Sequence, residues 1–273
     1  MSDPNPIEPL GVIGNISRDQ AIYPDGRHYE FLGGAALHVA LAAARAGLQA
    51  APISVVGCDL ADVMDDPRLA LVGTNGIRVD QGRSCTFRMT YDQADNLRDI
   101  SCDFGVSVHL TDHALSQLGR HEHYHVCCRR PLDVARVLNR VAELQLPFSL
   151  DFHIASAPSL MAHALGPLPE AQLVFANVAE FDVLQRLIAP RRLQAVVVTD
   201  GPREVRLLRR GEPVARVTPQ ATKAREVTNA GDVLAGCFLA RHASGLDDAT
   251  ALGRAVSAAT VSIRDAPALL VPR

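Results

Sequence analysis

The chain has 273 residues, of which 48% are apolar, and a formal net charge of -3 at pH 7. This length and apolar content are enough to build a full hydrophobic core. The near-neutral charge gives no electrostatic reason to expect nucleic acid or an anionic membrane as a partner, so we expect neither.

The basic residues are almost all arginine, because Lys223 is the only lysine in the sequence. A Walker A loop needs Gly-Lys followed by Ser or Thr, whereas Lys223 stands between Thr222 and Ala224. Protein-kinase and Schiff-base mechanisms likewise lose their usual lysine. If this protein handles nucleotide phosphates, it must therefore do so with backbone amides, arginine and metal.

The location of the protein is predicted from its termini and cysteines. The first ten residues are polar and rich in proline, without the basic and apolar regions of a signal peptide. No later segment has the length and apolar character of a transmembrane helix. The six cysteines form no C-x-x-C pair, which favours reduced thiols over a disulfide or zinc framework. We therefore expect a cytoplasmic protein.

The first part of the chain predicts a βαβ unit. Residues 10–14 are a buried strand, the alanine-rich run 34–46 is a helix that ends at Gly47, and residues 52–57 are the next buried strand. A strand, a helix and a strand at this spacing indicate a parallel sheet.

The segment from Arg78 to Gly105 has a different pattern. Its runs TFRMTYDQ and LRDISCDF alternate polar and apolar residues, and Ala94-Asp95-Asn96 separates them, which predicts a hairpin. We expect residues 82–105, together with residues 17–31, to form a small lid of half-exposed strands beside the main sheet. Exposed strands offer an edge to a second chain, so a homodimer through the lid is a further expectation.

After residue 110 the α/β alternation resumes. Strands are predicted at 123–128, 148–152, 173–176 and 195–199, followed by two antiparallel runs at 204–208 and 214–218. Helices are predicted at 111–118, 132–144, 179–187, 232–243 and 248–263. No repeat or linker divides the chain, so we expect a single domain.

The stretch EVTNAGDVLAGCFLA, from Glu226 to Ala240, joins small residues to the start of an apolar helix. At such a start the backbone N–H groups of Ala230, Gly231 and Asp232 attract an anion, and the carboxylate of Asp232 lies beside it as a base. Phosphoryl transfer needs both functions, because phosphate charge must be neutralised and the acceptor hydroxyl deprotonated. The alternative is that Asp232 is an ordinary acidic residue of a first helical turn.

The same stretch resembles the DTTGAGD-x-F-x-x-G-F-L signature of the ribokinase-like (PfkB) family of small-molecule kinases. Three further motifs resemble that family in the same order: Gly33-Gly34 before a helix and ISVVGCD, Asn177-Val178-Ala179-Glu180 as N-x-x-E, and Thr199-Asp200-Gly201 as T-x-G. The resemblance covers nearly the whole chain. It implies a three-layer α/β/α fold with a mainly parallel central sheet and a small β-strand lid.

The resemblance also implies an activity and its cofactors. It implies an ATP-dependent kinase that uses Mg²⁺ and phosphorylates a hydroxyl of a small polyol such as a sugar, a nucleoside or a cyclitol. Asp232 is then the general base, and the backbone of Asn229, Ala230 and Gly231 belongs to the anion hole. Closure of the lid would exclude water from the reaction.

Four residues are implied in nucleotide and metal binding. Thr199 and Gly201 line the nucleotide, while Asn177 and Glu180 orient the water shell of Mg²⁺, a task suited to hard oxygen donors. The alternative for Asn177 and Glu180 is a helix capping box, which is compatible with the metal role. The alternative for Thr199 and Gly201 is an ordinary turn after a strand.

Four other residues are implied in acceptor binding. The carboxylate of Asp19 accepts hydrogen bonds from hydroxyls, and Gly33 and Gly34 allow the backbone to approach a ligand closely. His38 lies one helical turn beyond Gly34 and is a further contact. The alternatives are a solvated loop acid for Asp19, a helix-entry turn for the glycines, and a packed side chain for His38.

The chain departs from the family signature at three positions. Asn229 replaces its first glycine, which is acceptable because asparagine adopts left-handed backbone conformations more readily than most residues. Glu226 replaces an aspartate that helps to build a monovalent-cation site in several relatives, so potassium activation is not predicted. Val227 replaces a threonine. These departures motivate an alternative function, a catalytically silent binding protein that retains the kinase fold.

Two further groups attract attention. Asp151 and His153 lie at a predicted strand end, where ligands of α/β sheets bind, and they are expected to border the pocket without an assigned role. A run of alternating residues suggests a metal site, but alternate positions on a strand are about 7 Å apart, which is too far for one tetrahedral ion without help. We therefore predict only a polar strand face for His121, His123, His125 and Cys127.

Overall fold

The computed structural model describes residues 8–94, 97–153, 157–222 and 229–265. The strands are β1 Glu8–Ile13, β2 Ser17–Ile22, β3 His28–Gly33, β4 Ala50–Gly57, β5 Ile77–Asp80, β6 Thr86–Tyr91, β7 Leu97–Asp103, β8 His121–Cys128, β9 Phe148–Phe152, β10 Leu173–Asn177, β11 Ala195–Thr199, β12 Val205–Arg209 and β13 Glu212–Val217. The α-helices are α1 Ala35–Arg45, α2 Leu110–Gln117, α3 Val134–Glu143, α4 Ala157–Ala164, α5 Val178–Leu187, α6 Ala230–Ala243 and α7 Asp248–Asp265.

The main sheet has nine strands in the order β13-β12-β11-β10-β9-β8-β1-β4-β5. All neighbours from β11 to β5 are parallel, whereas β12 and β13 pair antiparallel at one edge. Every residue of β4 and β9 is buried, as expected for parallel strands covered on both faces. The predicted, mainly parallel central sheet is therefore confirmed.

Helices cover both faces of this sheet. One core contains residues of α1, α6 and α7, including Leu37, Phe238 and Leu252. The other contains residues of α2, α3, α4 and α5, for example Leu138 and Leu184. The fold is thus the expected three-layer α/β/α arrangement. Among the described residues, no helix is both long enough and apolar enough to cross a bilayer.

Two glycines allow close backbone contacts around α1. A Cβ atom at Gly236 of α6 would lie 2.2 Å from the carbonyl oxygen of Val39, so only glycine permits this helix contact. Gly34 precedes α1 with a φ of 100°, and a Cβ atom there would lie 2.2 Å from the carbonyl oxygen of Asn15. The helix that follows the Gly33-Gly34 motif is therefore fixed against the helix that carries Asp232.

A second sheet of four strands lies beside the main one, in the order β3-β2-β6-β7. Strands β2 and β6 pair in parallel, and the outer pairs are antiparallel. The lid was predicted to begin at residue 82. Residues 77–80 before it form β5, which pairs with β4 in the main sheet and which the sequence did not predict as a strand. As an edge strand β5 is partly exposed. The sequence also gave no prediction of α4.

Candidate active site

The site is organised around the first turn of α6. Asn229 precedes the helix with φ 70° and ψ 0°, the left-handed conformation that was expected of it. The first intrahelical hydrogen bond runs from the amide of Val233 to the carbonyl oxygen of Asn229, at 2.9 Å. The amides of Ala230, Gly231 and Asp232 therefore precede the ladder of helical hydrogen bonds, which is the arrangement that binds anions.

Asp232 is 4% exposed and forms an ion pair that the sequence did not predict. Its Oδ1 atom accepts a hydrogen bond of 2.8 Å from a terminal nitrogen of Arg129. The same nitrogen donates to Oδ2 of Asp151, also at 2.8 Å. Arg129 thus holds two buried carboxylates together at the carboxyl ends of β8 and β9.

The charges of this triad act on one another. The carboxylates of Asp232 and Asp151 raise the pKa of Arg129 against the effect of burial, so its guanidinium is charged. Burial raises the pKa of Asp151 to about 7, although Arg129 acts in the opposite direction. Asp151 therefore borders the site as expected, whereas Arg129 was missed. Its only signal in the sequence was its position directly after a strand.

Two histidines lie within the electrostatic range of Asp232. Burial lowers the pKa of His38, and the charge of Asp232 opposes that effect. His153 is affected in the same way, with burial and then Arg129 lowering its pKa and Asp232 raising it. Of the acceptor-binding candidates, His38 on α1 is therefore brought to the same region as Asp232.

Asn177 and Glu180 form the capping box that was one of their two interpretations. The Oδ1 atom of Asn177 accepts from the amide of Glu180 at 2.9 Å, and a carboxylate oxygen of Glu180 accepts from the amide of Asn177 at 2.8 Å. Glu180 is buried, and its charge contributes to the raised pKa of Asp151. Its carboxylate is therefore close to the triad.

Thr199 and Gly201 lie at the next strand end. Thr199 is paired with Asn177 in the register of β10 and β11, so the two polar residues stand side by side. Gly201 is exposed, has a φ of 53°, and a Cβ atom there would meet nothing within 4 Å. Among the described residues, no hydrogen bond or ion pair links Thr199 or Gly201 to Asp232, and their role stays a prediction.

Asp19 lies on β2 above the Gly33 backbone. Its Oδ1 atom accepts a hydrogen bond of 3.3 Å from the amide of Phe87 on β6. A Cβ atom at position 33 would lie 2.1 Å from Oδ2 of Asp19, so glycine is needed for this approach. Burial raises the pKa of Asp19 to about 6. Asp19 is therefore a partly buried carboxyl at the junction of the two sheets, and not a solvated loop acid.

Some residues of the sequence argument lie outside the described residues, namely Asp95 and Asn96 of the predicted hairpin turn, and Lys223, Ala224, Glu226 and Val227.

A family model for the pfkB family carbohydrate kinases matches residues 12–268. The chain belongs to this family. The match includes all the motifs identified in the sequence and most of the described fold, so the protein is a kinase.

Known relatives agree with this assignment. The chain is 24% identical to a cytidine kinase of Thermococcus kodakarensis over 262 residues, which cover 89% of this chain and 92% of that one. A candidate ribokinase II of E. coli in complex with ATP and Mg²⁺ has a similar fold, with a TM-score of 0.79, 19% identity, and coverage of 94% of this chain and 92% of the other. A nucleoside kinase of Burkholderia thailandensis in complex with inosine gives a TM-score of 0.73, 20% identity, and coverage of 93% and 91%.

Proposed function

We propose that this PfkB-family kinase transfers a phosphoryl group from ATP to a hydroxyl of a small polyol, and that nucleosides are the first class to test. The observation that carries the proposal is the buried carboxylate of Asp232 in the first turn of α6, beside the leading amides of that helix. The choice of nucleosides is supported by the similarity to a cytidine kinase and to a nucleoside kinase in complex with inosine. Sugars and cyclitols remain in the tested set.

Asp232 acts as the general base in this proposal. Its carboxylate takes the proton of the attacking hydroxyl, while the amides from Ala230 to Asp232 stabilise the negative charge on the transferred phosphoryl group. Arg129 holds the Asp232 side chain in place through the 2.8 Å ion pair. The positively charged guanidinium also offsets part of the carboxylate charge in a buried region.

Asp19 is the proposed acceptor contact. Its carboxylate accepts hydrogen bonds from substrate hydroxyls, and Gly33 and Gly34 leave the backbone open to the ligand. His38 follows Gly34 on α1 and is affected by the charge of Asp232, so it is the proposed link between the acceptor subsite and the base. Thr199 and Gly201 are assigned to nucleotide binding. They lie at the carboxyl end of β11, beside Asn177 at the end of β10.

The charges of the site fit a divalent cation. The carboxylates of Asp232 and Glu180 share one positive partner, the guanidinium of Arg129. The excess of negative charge and the oxygen donors suit Mg²⁺. We assign Glu180, with Asn177, to hold Mg²⁺ through water, and the ion would neutralise charge on the phosphates of ATP.

The second sheet is the proposed lid. It carries Asp19 on β2, and the amide of Phe87 on the neighbouring strand β6 donates a hydrogen bond to Asp19, so two of its strands support the acceptor subsite. A ligand that binds Asp19 would draw these strands towards the main sheet and exclude water, which limits hydrolysis of ATP.

A second copy of the chain is the proposed partner of the lid. Its edge strands β3 and β7 expose Tyr29 and Ile100, with exposed fractions of 43% and 54%. Light scattering should give the mass of a dimer for the parent and that of a monomer for Ile100→Arg. A monomeric parent at the concentrations used for turnover would reject this partner.

The test of the function is ATP turnover against nucleosides, sugars and cyclitols. Asp232→Asn should lower kcat by about 10²–10⁴ because the general base is lost. Asp112→Asn is the matched control, since Asp112 is the third residue of α2 just as Asp232 is the third residue of α6, but its side chain is exposed. This control should keep its turnover, because an exposed first-turn acid contributes only helix stability.

The results separate the proposals. If no acceptor is phosphorylated while nucleosides or sugars still bind, the protein is a binding protein with a kinase fold. If an acceptor is phosphorylated but Asp232→Asn remains within a few fold of the parent, the kinase assignment survives and Asp232 is not the base.

A further inference from the structure

We propose that His125, Cys127 and Asp151 form a buried site for one Zn²⁺ ion next to the proposed active site. One donor atom from each residue lies within 4.8 Å of those from the other two. The alternating residues of β8 alone are too far apart for such a site. The neighbouring strand supplies the missing ligand, because Asp151 of β9 is paired directly with Cys127 in the parallel register.

Two atoms of this cluster are buried without hydrogen bonds. In the part of the chain that the structure describes, neither Nε2 of His125 nor Oδ1 of Asp151 has a hydrogen-bond partner. His125 is 0% exposed and Asp151 is 6% exposed. Buried polar atoms are rarely left unpaired, so two of them in one cluster indicate a bound species.

Ser149 prepares the His125 ring for this role. Its hydroxyl oxygen lies 2.9 Å from Nδ1 of His125 and 2.9 Å from Nε2 of His123. In the proposed arrangement the hydroxyl donates its one proton to Nε2 of His123 and accepts a hydrogen bond from Nδ1–H of His125. This arrangement leaves a lone pair on Nε2 of His125, and histidine ligands of metals are normally oriented by such a hydrogen bond.

The donor set selects the class of ion. A thiolate, an imidazole and a carboxylate suit Zn²⁺, whereas Mg²⁺ prefers oxygen donors alone. The thiolate of Cys127 and the carboxylate of Asp151 together neutralise a divalent charge. Arg129 binds Oδ2 of Asp151, so Oδ1 remains for the ion without loss of that ion pair. A water molecule would complete the coordination.

The site is distinct from the proposed Mg²⁺ site and does not depend on the kinase activity. The main alternative to a bound Zn²⁺ ion is a buried water molecule that bridges His125 and Asp151. A measurement of metal content distinguishes the ion from the water molecule. Because a water molecule does not require the thiol, Cys127 is the residue to replace.

The experiment uses the full chain without a histidine tag, carrying Cys58→Ser and Cys102→Ser to remove the two exposed thiols. This background is refolded with Zn²⁺ or Co²⁺, dialysed, and analysed by elemental analysis and by the thiolate-to-cobalt absorption band. Cys127→Ser is compared with Cys128→Ser. Cys128 is equally buried, and its thiol donates to the carbonyl oxygen of Val126, at 3.5 Å.

We expect about one metal ion per chain in the background and in Cys128→Ser, with the cobalt band present in both. Cys127→Ser should lose the band and bind at least about 100-fold more weakly, while Ser149→Ala should bind about 10–100-fold more weakly. Zn²⁺ should raise the Tm of Cys128→Ser but not that of Cys127→Ser. The thermal unfolding transition of each variant also shows, independently of activity, that the variant folds.

Two results would overturn the proposal. One is a background that binds no Zn²⁺ or Co²⁺ even after refolding with the metal. The other is binding that Cys127→Ser and Cys128→Ser change equally.

Discussion

The Arg129 ion pairs give the most direct test of the site geometry. Arg129→Met removes a guanidinium that lies 2.8 Å from both Asp151 and Asp232. The side chains of these aspartates are only 9% and 5% exposed. The change therefore leaves buried carboxylates without a partner, which is much more costly than the loss of an exposed pair.

The magnitude follows from burial. Loss of one partner of a buried ion pair costs about 3–5 kcal/mol, and we expect the lower end because the Arg129 side chain is 30% exposed. For a chain of this size about 3 kcal/mol lowers Tm by roughly 6–12 °C. Arg136→Met is the matched control, since Arg136 pairs with Asp112 at the same distance of 2.8 Å on the surface. An exposed pair contributes about 0–1 kcal/mol.

The loss should also depend on pH. A carboxyl group whose pKa is higher in the folded than in the unfolded state binds more protons when folded, so stability falls as pH rises between the two values. The pKa of Asp151 rises from 3.8 to about 7 on folding even with Arg129 beside it. Without Arg129 this pKa is higher still, so the variant continues to lose stability above pH 7 while the parent does not.

The assay is Tm by circular dichroism between about pH 6 and pH 8.5, in EDTA, together with kcat for the identified acceptor. The Tm difference between parent and Arg129→Met should widen as pH rises, and that for Arg136→Met should stay small and constant. The reasoning is refuted if both arginine variants lose the same stability, or if the Arg129→Met difference does not change with pH.

Two further predictions concern the proposed ligand contacts. Gly231→Ala should lower turnover by at least about 10-fold, because the new Cβ atom would occupy open space in which the proposed anion hole binds phosphate. The same change should raise the free energy of unfolding by up to about 1 kcal/mol, because alanine has the higher helix propensity. Gly253→Ala on α7, which also meets open space, should raise stability alike and keep full activity, and equal turnover of the two variants would contradict the anion hole. For Asp19, whose pKa is about 6, acceptor kcat/KM should fall as pH drops below about 6, since the protonated carboxyl accepts fewer hydrogen bonds. Asp19→Asn should abolish this fall in kcat/KM at low pH, and an unchanged fall would show that another group causes it. The variant should also be more stable than the parent above pH 6, because the raised pKa of Asp19 means that its ionised form is costly to bury.

Much of the fold was predictable from local patterns. The nearly continuous apolar run of β4, the alanine-rich helix before Gly47 and the buried strand β11 each predicted their own structure, because parallel strands and packed helices bury whole segments. β5 was not predicted, because this four-residue edge strand is half exposed and lacks the continuous apolar run of the buried strands. No local pattern shows which strand such a segment pairs with.

The site was only partly predictable. Asp232, Asn229 and the Asn177–Glu180 capping box follow from local sequence, because helix starts are determined by residues within one turn. Arg129 pairs with Asp232 across 103 positions and with Asp151 across 22. Such contacts depend on which strands become neighbours, and a surface arginine and an ion-paired one have the same sequence signal.

By itself the sequence determined most of the order of strands and helices, the family, and an acidic residue at the start of α6, since each depends on residue types at short spacings. The tertiary structure alone decided what surrounds that acidic residue. Strand order in the sheet brings β8 beside β9, and this contact creates both the Arg129 ion pairs and the cluster of His125, Cys127 and Asp151. The physical reason is that burial and charge pairing act between residues close in space, and the sequence does not state those distances.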